Sequence, residues 1–354
     1  MNFIQRVLHR PFFIKLFNWE YWPFNVVYAP ILFIWFWFCL RARSFFFFSA
    51  SNPTIQNGGF LMESKMSIYD LIPQKYFPPT LFFHANTASG IVIAGVREAK
   101  LKYPLIGKPD VGGRGRGVKK LDDERSLEEY ANSSPLDFLV QEFIPFELEV
   151  GIFYYRYPGE QSGKISGIVR KEFLTVVGDG HSTIEELLKK EKRFILQLET
   201  LQKTYGSSLQ HVLANKEVKE LVPYGNHARG AMFIDDTHLV DAELTASIDD
   251  VCKQINGFHY GRMDVRYKNW DDLRYGRNFG IVEVNGAGSE PTHMYDPKHT
   301  IFFAWKEIIR HWHILWKISL LNHRKGIPYL PYKDGVAMMK ENAVFEKKLD
   351  ELYD

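Results

Sequence analysis

Two short stretches combine residue types that could hold a divalent cation: residues 261–267, GRMDVRY, and residues 280–288, GIVEVNGAG. In a strand, alternate residues share a face. Arg262, Asp264 and Arg266 then project one way, and Met263, Val265 and Tyr267 the other. Glu283 and Asn285 likewise share a face, while Ile281, Val282 and Val284 suit a core. If the two strands are neighbours, Asp264, Glu283 and Asn285 converge as hard oxygen ligands. Oxygen coordination with room for phosphates is what Mg²⁺ requires beside a nucleoside triphosphate. The competing reading is a half-buried hairpin with polar outer positions.

Residues 103–108, YPLIGK, read as a strand that runs into Pro109-Asp110-Val111 and then GGRGRG. Gly112, Gly113, Gly115 and Gly117 free the backbone to curl its N–H groups around an anion, and Arg114, Arg116, Lys119 and Lys120 add positive charge. A phosphate cover loop is the natural reading, with a flexible hairpin tip as the alternative. No Gly-Lys-Ser/Thr follows, so this is not a Walker loop, and the third glycine of the dinucleotide fingerprint is missing. Residues 138–144, FLVQEFI, and the following PFELEVGIFYY read as two strands about a bend at Pro145. Glu142, Glu147 and Glu149 surround that bend, where carboxylates can accept hydrogen bonds from an adenine amino group and ribose hydroxyls; otherwise they are surface charges.

The elements that must position these groups form an alternation of short apolar runs and amphipathic helices from about residue 80, the pattern of mixed α/β architecture. The order of motifs over about residues 95–300 resembles the ATP-grasp superfamily, specifically its carboxylate–amine ligase branch typified by D-alanine–D-alanine ligase. The resemblance rests on strand-Lys with glycine loop, hinge Glu, a second Glu seven residues on, then R-x-D and E-x-N. It implies that Lys108 contacts the nucleotide phosphates and that the loop at Gly112, Gly113, Gly115 and Gly117 closes over them. It further implies that Glu142 and the backbone of Phe143 and Ile144 bind adenine, and that Glu149 binds ribose. Asp264, Glu283 and Asn285 would hold two Mg²⁺ ions, with Mn²⁺ as a substitute, and Arg262 would stabilise the transferred phosphoryl group. Two further stretches, TVVGDGHSTIEELL at 175–188 and GNHARGA at 225–231, are similar to segments of cyanophycin synthetase and glutathione ligase relatives. The first is better read over 178–186 as structural, a Gly-Asp-Gly turn followed by a capping box of Ser182 with Glu185. In the second, Asn226 and Arg229 are expected to contact substrate or phosphate, and Lys171 is a further candidate phosphate lysine.

The resemblance implies an acyl-phosphate mechanism that needs no covalent enzyme nucleophile. Two departures qualify it. The α/β substrate domain that usually opens such chains is replaced by a short piece, and E-x-N continues as GAGSEPTHMYDP, which argues against D-alanine as substrate.

The 354 residues, 45% apolar and 24% charged, are enough for a full core and two or three structural units. A net charge of +2 gives no reason to expect a nucleic-acid partner. Cys39 and Cys252 are the only cysteines, which excludes a disulfide scaffold or a Cys-rich zinc site.

The average charge hides an asymmetry. Residues 1–50 carry Arg6, Arg10, Lys15, Arg41 and Arg43 against Glu20, and hold four of the eight tryptophans and twelve of the 28 phenylalanines. Residues 24–40, FNVVYAPILFIWFWFCL, are uncharged, interrupted by Asn25 and Pro30, and flanked by cations on both sides. Shallow insertion bent near Pro30, with both flanks on the cytoplasmic face of a membrane, satisfies these charges. A buried aromatic helix and a single span are the alternatives, and the composition is not that of a cleavable signal. Residues 300–322 fit one helix with Phe302, Trp305, Ile308, Ile309, Trp312, Trp316 and Leu320 near a common face, either a second contact with the bilayer or a helix packed on the N-terminal segment, and the tail from 335 reads as a charged, solvated helix without chemistry.

The expected fold is therefore α/β (α+β): an ATP-grasp fold of two subdomains with an N-terminal membrane-associated segment and a C-terminal helical region. The expected divisions are a membrane segment at 1–50, a remnant of the substrate domain at 51–95, a small subdomain with the glycine loop at 96–150, a large subdomain with the metal site at 151–300, and C-terminal helices at 301–354. The expected activity joins a small-molecule or lipid-linked carboxylate to an amine acceptor with ATP. A kinase-like phosphoryl transferase and a non-catalytic nucleotide-binding membrane scaffold are the alternatives.

Overall fold

The computed structural model describes residues 10–113, 115–222 and 230–353. The chain divides into two compact units, each assembled from three stretches. The larger comprises Phe33–Ile168, Asp236–Pro291 and Ile308–Asp354; the smaller comprises Met1–Leu32, Val169–Asp235 and Thr292–Glu307.

In the larger unit, β1 (Thr80–Phe83), β2 (Leu105–Pro109), β3 (Lys119–Leu121) and β4 (Phe138–Glu142) form an antiparallel sheet in the order β1-β4-β2-β3. The period of two along β4 explains its place. Phe138 and Val140 join Val92, Val96, Leu127 and Tyr130 from the helices Ser89–Glu98 and Glu124–Asn132, whereas Leu139 faces a second core. Gln141 shares the face of Leu139 and is free to meet the candidate site. The helix Glu124–Asn132 begins where Asp123 caps it, its carboxylate accepting from Ser126 N at 2.8 Å.

Seven strands follow: β5 (Leu148–Tyr155), β6 (Lys164–Glu172), β7 (Leu174–Val177), β8 (Val218–Val222), β9 (Met232–Asp235), β10 (Tyr260–Tyr267) and β11 (Phe279–Asn285). Within the larger unit β11, β10, β5 and β6 lie side by side. Their apolar positions, among them Val150, Ile152, Met263, Val265, Ile281 and Val284, pack with Leu244, Ile248, Val251 and Cys252 of the helix Ala242–Lys253. Strict alternation cannot place both Ile281 and Val284 in this core. The register shows how it happens: Asp264 faces Glu283, but Val265 faces Ile281, so Val282 is an extra residue, a β-bulge.

In the smaller unit, the last residues of β6 pair with β9, and β7 pairs with β8. The helix Ile184–Lys190 is capped one residue later than the sequence suggests: Thr183 and Glu186 form the capping box, not Ser182 and Glu185. Ser182 is held instead by Asp179, whose carboxylate accepts from its N at 2.7 Å and its Oγ at 2.7 Å. Near the N-terminus, Trp19 stacks on Tyr295 and donates from Nε1 to His299 O, and Glu20 pairs with Arg193.

The uncharged stretch forms Phe24–Tyr28, a tight turn at Ala29–Ile31 that contains Pro30, and the helix Leu32–Ala42. At the other end, the helix Ile301–Arg324 buries a face that overlaps the expected one at Ile308, with Trp312 and Trp316 half-buried against the aromatic cluster of Phe38 and Phe47. Phe302 is 72% exposed, and the buried stripe runs through Ala304, Ile308, His311, Leu315, Ile318 and Asn322. Its polar members escape an apolar pattern because each has a partner: His311 Nε2 meets Ser166 Oγ at 2.9 Å, and Asn322 Nδ2 donates to Ala50 O and Ser51 O. The last helix, Tyr332–Tyr353, is not a solvated tail, since Gly335, Met338 and Leu349 are buried.

Candidate active site

β10 and β11 set the site. Their register places Arg262 opposite Asn285 and Asp264 opposite Glu283, so the R-x-D and E-x-N side chains share one face of the sheet. Asp264 is buried and held by its own strand: Arg262 Nε donates to Oδ1 at 2.8 Å and Nη2 to Oδ2 at 3.2 Å. The same guanidinium reaches Glu290 O at 3.5 Å.

The bulge at Val282 turns its carbonyl out of the ladder toward β2 and the short helix Lys65–Tyr69. Tyr69 OH donates to that oxygen at 2.5 Å, and Lys108 Nζ approaches it at 3.3 Å. Lys108 Nζ also donates to Tyr69 OH at 2.7 Å and to Gln141 Oε1 at 2.9 Å. Burial drives the Lys108 pKa down to about 8, opposed by the charges of Glu283 and Asp110. The lysine is therefore fixed between the two sheets, next to the carboxylate of Glu283.

Lys65 was not singled out by any sequence motif, yet its ammonium lies 3.8 Å from Glu283 Oε1 and donates to Asp110 O and Gly112 O. Asp110 Oδ1 accepts from Met66 N at 2.9 Å, which ties the start of the glycine loop to this helix. Burial pushes the Glu63 carboxyl above the usual carboxylate range, with Lys65 opposing and Glu283 adding to the shift. The signal that could have found this segment is the charge pair Glu63-x-Lys65 after an acid-free stretch from Tyr21 to Met62.

Residues 51–60 support the exit of β11. Asn52 Nδ2 donates to Gly58 O and Tyr260 O, and its Oδ1 accepts from His259 N and Tyr260 N. Ala287 N and Gly288 N in turn donate to Gly58 O and Gly59 O. Gly59 sits at φ +74°, and a Cβ there would come within 2.7 Å of Gly286 Cα, so only glycine fits.

The hinge residues are already engaged. Glu142 Oε1 accepts from Lys102 N at 2.8 Å, Phe143 N donates to Pro104 O, and Ile144 packs against Gly280. Glu149 is buried and accepts from Arg266 Nε at 3.3 Å, while the Arg266 guanidinium lies over the Phe143 ring. Gly112, Gly115 and Gly117 all adopt positive φ, as an anion-binding curl needs. The loop is nevertheless covered. Arg116 pairs with Glu346 and Asp350, and Cβ atoms on Gly112 and Gly117 would meet Leu349 and Tyr353 at 2.9 and 2.7 Å. The tail that looked chemically silent is thus seated on the glycine loop; its charges pair across the sequence and not with water alone.

Arg114, Asn226 and Arg229 lie outside the described residues. Lys171 is buried in the smaller unit, at the β6 position that pairs with Phe233 of β9. The structure brings together Lys108, Arg262, Asp264, Glu283 and Asn285, and adds Lys65, Tyr69 and Gln141.

Among the described residues, no three His, Cys, Asp or Glu side chains cluster as a metal cage. The set here is two carboxylates and an amide, which suits an ion that takes its remaining ligands from phosphates and water. The oxygen donors of this set fit Mg²⁺, whereas Asn285 Nδ2, buried without a hydrogen-bond partner, is a donor and suits a phosphate oxygen beside the ion.

No protein-family model and no curated protein matches this sequence. Among solved structures, the chain is similar to a bifunctional glutathione synthetase from Pasteurella multocida at 15% identity, covering 68% of this chain and 36% of that one, with a TM-score of 0.36. It is similar to a D-Ala:D-Ser ligase from Enterococcus faecalis at 16% identity (72% and 61% covered, TM-score 0.39). It is also similar to a D-alanine–D-alanine ligase from Bacillus anthracis at 14% identity (74% and 69% covered, TM-score 0.41). The chain spans about a third of the first of these proteins and about three-fifths of the second. With TM-scores below 0.5, the functional reading rests on the geometry of the site.

Proposed function

We propose that this protein is an ATP- and Mg²⁺-dependent ligase that joins a carboxylate to an amine. The observation that carries this reading is the register of β10 and β11, which sets Asp264 against Glu283 and Arg262 against Asn285, with Lys108 anchored on the bulge carbonyl beside them. ATP carries about four negative charges, and a carboxylate brings another, so cations must offset their repulsion. Lys108 and Lys65 lie on the side of the first sheet, and Arg262 on the second. Asp264, Glu283 and Asn285 would hold Mg²⁺, which supplies Lewis-acid polarisation of the phosphate oxygens.

The chemistry balances without an enzyme nucleophile. A carboxylate oxygen attacks the γ-phosphorus, and the bond to the bridging oxygen breaks, leaving ADP. The amine nitrogen then attacks the acyl carbon, the C–O bond to phosphate breaks, and inorganic phosphate and a proton leave. Arg262 offsets charge on the transferred group. The glycine loop shields an acyl phosphate that water would hydrolyse.

The carboxylate or its acceptor is met at the cytoplasmic face of a membrane, where the protein sits peripherally. The cationic, aromatic first fifty residues support this part of the reading.

The test is purified protein with ATP, Mg²⁺ and mixed carboxylates and amines. Amine-dependent release of ADP and phosphate, lost in Asp264→Asn, is expected. A phosphorylated product formed without amine would replace the ligase with a kinase, and no turnover or nucleotide binding would replace it with a scaffold.

A further inference from the structure

The helix Leu32–Ala42 presents two different faces. Phe38, Cys39 and Ala42 are buried, Phe38 stacking on Trp316, and Trp35 packs edge-on against Trp312. Phe33, Phe36, Trp37 and Leu40, spaced i, i+3, i+4 and i+7, are 51–69% exposed on the other side. Phe45 extends this stripe and touches Tyr332, itself exposed. Tyr332 lines a shallow cavity of about 450 Å³ with Lys333, Val336, Ala337 and Lys340. Arg41 and Arg43 are exposed at the end of the helix, and Arg41 lies over the Trp37 ring.

We infer that this stripe is a docking face for an anionic lipid bilayer, with the helix Leu32–Ala42 lying in the plane of the interface. Charge names the occupant. From Tyr21 to Met62 the chain has no acid, so every charge this segment brings to the stripe is cationic, and beside Tyr332 the exposed Asp334 is outnumbered by Lys333 and Lys340. A second copy of the chain, meeting this patch with its own, would set Arg41 and Arg43 against the same arginines. Lipid phosphates offer the opposite charge, and the aromatic side chains suit the headgroup level. The orientation follows from burial: a spanning helix would give its whole circumference to lipid, whereas this one has a face committed to Trp312 and Trp316. Length does not decide the orientation, because the 19 helical residues Phe24–Ala42 extend about 28 Å against a hydrocarbon core of about 30 Å; the buried face does. The inference rests on the membrane part of the functional reading alone; no nucleotide chemistry enters it.

The test is flotation of the purified full-length protein, without nucleotide, on vesicles of phosphatidylcholine alone and with 30% phosphatidylglycerol. Wild type is expected to float on the anionic vesicles. Arg41→Gln with Arg43→Gln should lower that partition roughly 25-fold and leave the neutral vesicles unaffected. Phe36→Ser with Trp37→Ser and Leu40→Ser should lower it at least tenfold on both, with unchanged circular dichroism, since all three side chains are exposed. Shallow brominated lipids should quench the fluorescence lost in Trp37→Phe more strongly than deep ones. Folded wild type that stays with neither vesicle, or a serine variant that floats like wild type, overturns the proposal. So does a lipid-free dimer that the serine variant dissolves, which would make the occupant a second copy. Stronger quenching by deep bromines would overturn the in-plane placement. Each of these outcomes leaves the ATP-dependent turnover of the wild type to be judged separately.

Discussion

Arg116 in the glycine loop donates to Asp350 Oδ1 at 2.5 Å, and its other terminal nitrogen donates to Glu346 Oε2 at 2.6 Å. The two carboxylates stand one turn apart on the last helix, and the guanidinium between them is 8% exposed. The loop that would face a triphosphate therefore already holds two anionic groups. Its Nε is buried without a partner, so the guanidinium retains donor capacity.

A phosphate and these carboxylates would bid for the same cation. Glu346→Gln with Asp350→Asn is expected to tighten ATP binding by roughly two- to fivefold, since partly exposed ion pairs are worth up to ~1 kcal/mol each. Titration calorimetry with ATP and Mg²⁺ measures this. Equal or weaker binding in the double variant would show that the helix builds the loop and does not compete for it.

The pair Asp264 and Asn285 separates stability from metal binding. Asp264→Asn removes the charge that two nitrogens of Arg262 address, so it should destabilise the fold by about 1–3 kcal/mol and lower turnover at least 100-fold. Asn285→Ala removes an amide whose Nδ2 has no partner. It should leave thermal stability within about 0.5 kcal/mol while raising the Mg²⁺ concentration needed for half-maximal ATP turnover. A melting curve and a Mg²⁺ titration on both variants decide this, and a strongly destabilised Asn285→Ala would assign that amide to packing.

The facing of Asp264 and Glu283 was legible because β10 alternates charged and apolar residues with period two and the last three residues of β11, Glu283-Val284-Asn285, do the same for polar and apolar ones. Val282 was not, because an inserted residue leaves no mark on composition, and its carbonyl became the anchor for Tyr69 and Lys108 only in three dimensions. Residues 51–60 gave no signal for a related reason: the Asn52 side chain and the backbone of Gly58 and Gly59 bond to backbone groups of distant residues, which leaves no periodic pattern in the sequence. The last helix misled for the opposite reason. Its acids look solvated, but the arginine they meet lies over two hundred residues away in sequence. The stripe on Ile301–Arg324 was legible at Ile308, Trp312 and Trp316 but not at His311 and Asn322, which are polar and buried.

Two glycines offer a contrast. Gly59→Ala would need φ +74° and would bring its Cβ to 2.7 Å from Gly286 Cα, so a loss of roughly 2–4 kcal/mol is expected. Gly113→Ala meets nothing within 4 Å and should leave stability unchanged. Denaturant unfolding of both measures the difference. Any loss of ATP affinity in a fully stable Gly113→Ala would then report on the loop's backbone approach to phosphate and not on folding.

Acid stability reports on His259. Burial lowers its pKa to about 4, and the charge of Arg156 lowers it further, while its Nδ1 is buried without a partner. The unfolded chain, with a pKa of 6.5, binds this proton first. Between about pH 4 and 6.5 the unfolded state therefore holds more protons than the folded state, and stability must fall as the pH drops through that window. The contribution reaches up to ~3 kcal/mol at its lower end. Replacing the ring by His259→Gln should flatten this part of the curve while leaving the slope below pH 4 in place. Urea unfolding at pH 7, 5.5, 4.5, 3.5 and 3 gives the comparison. Parallel curves for wild type and variant would mean that the imidazole is hydrated in solution and takes up its proton with little penalty.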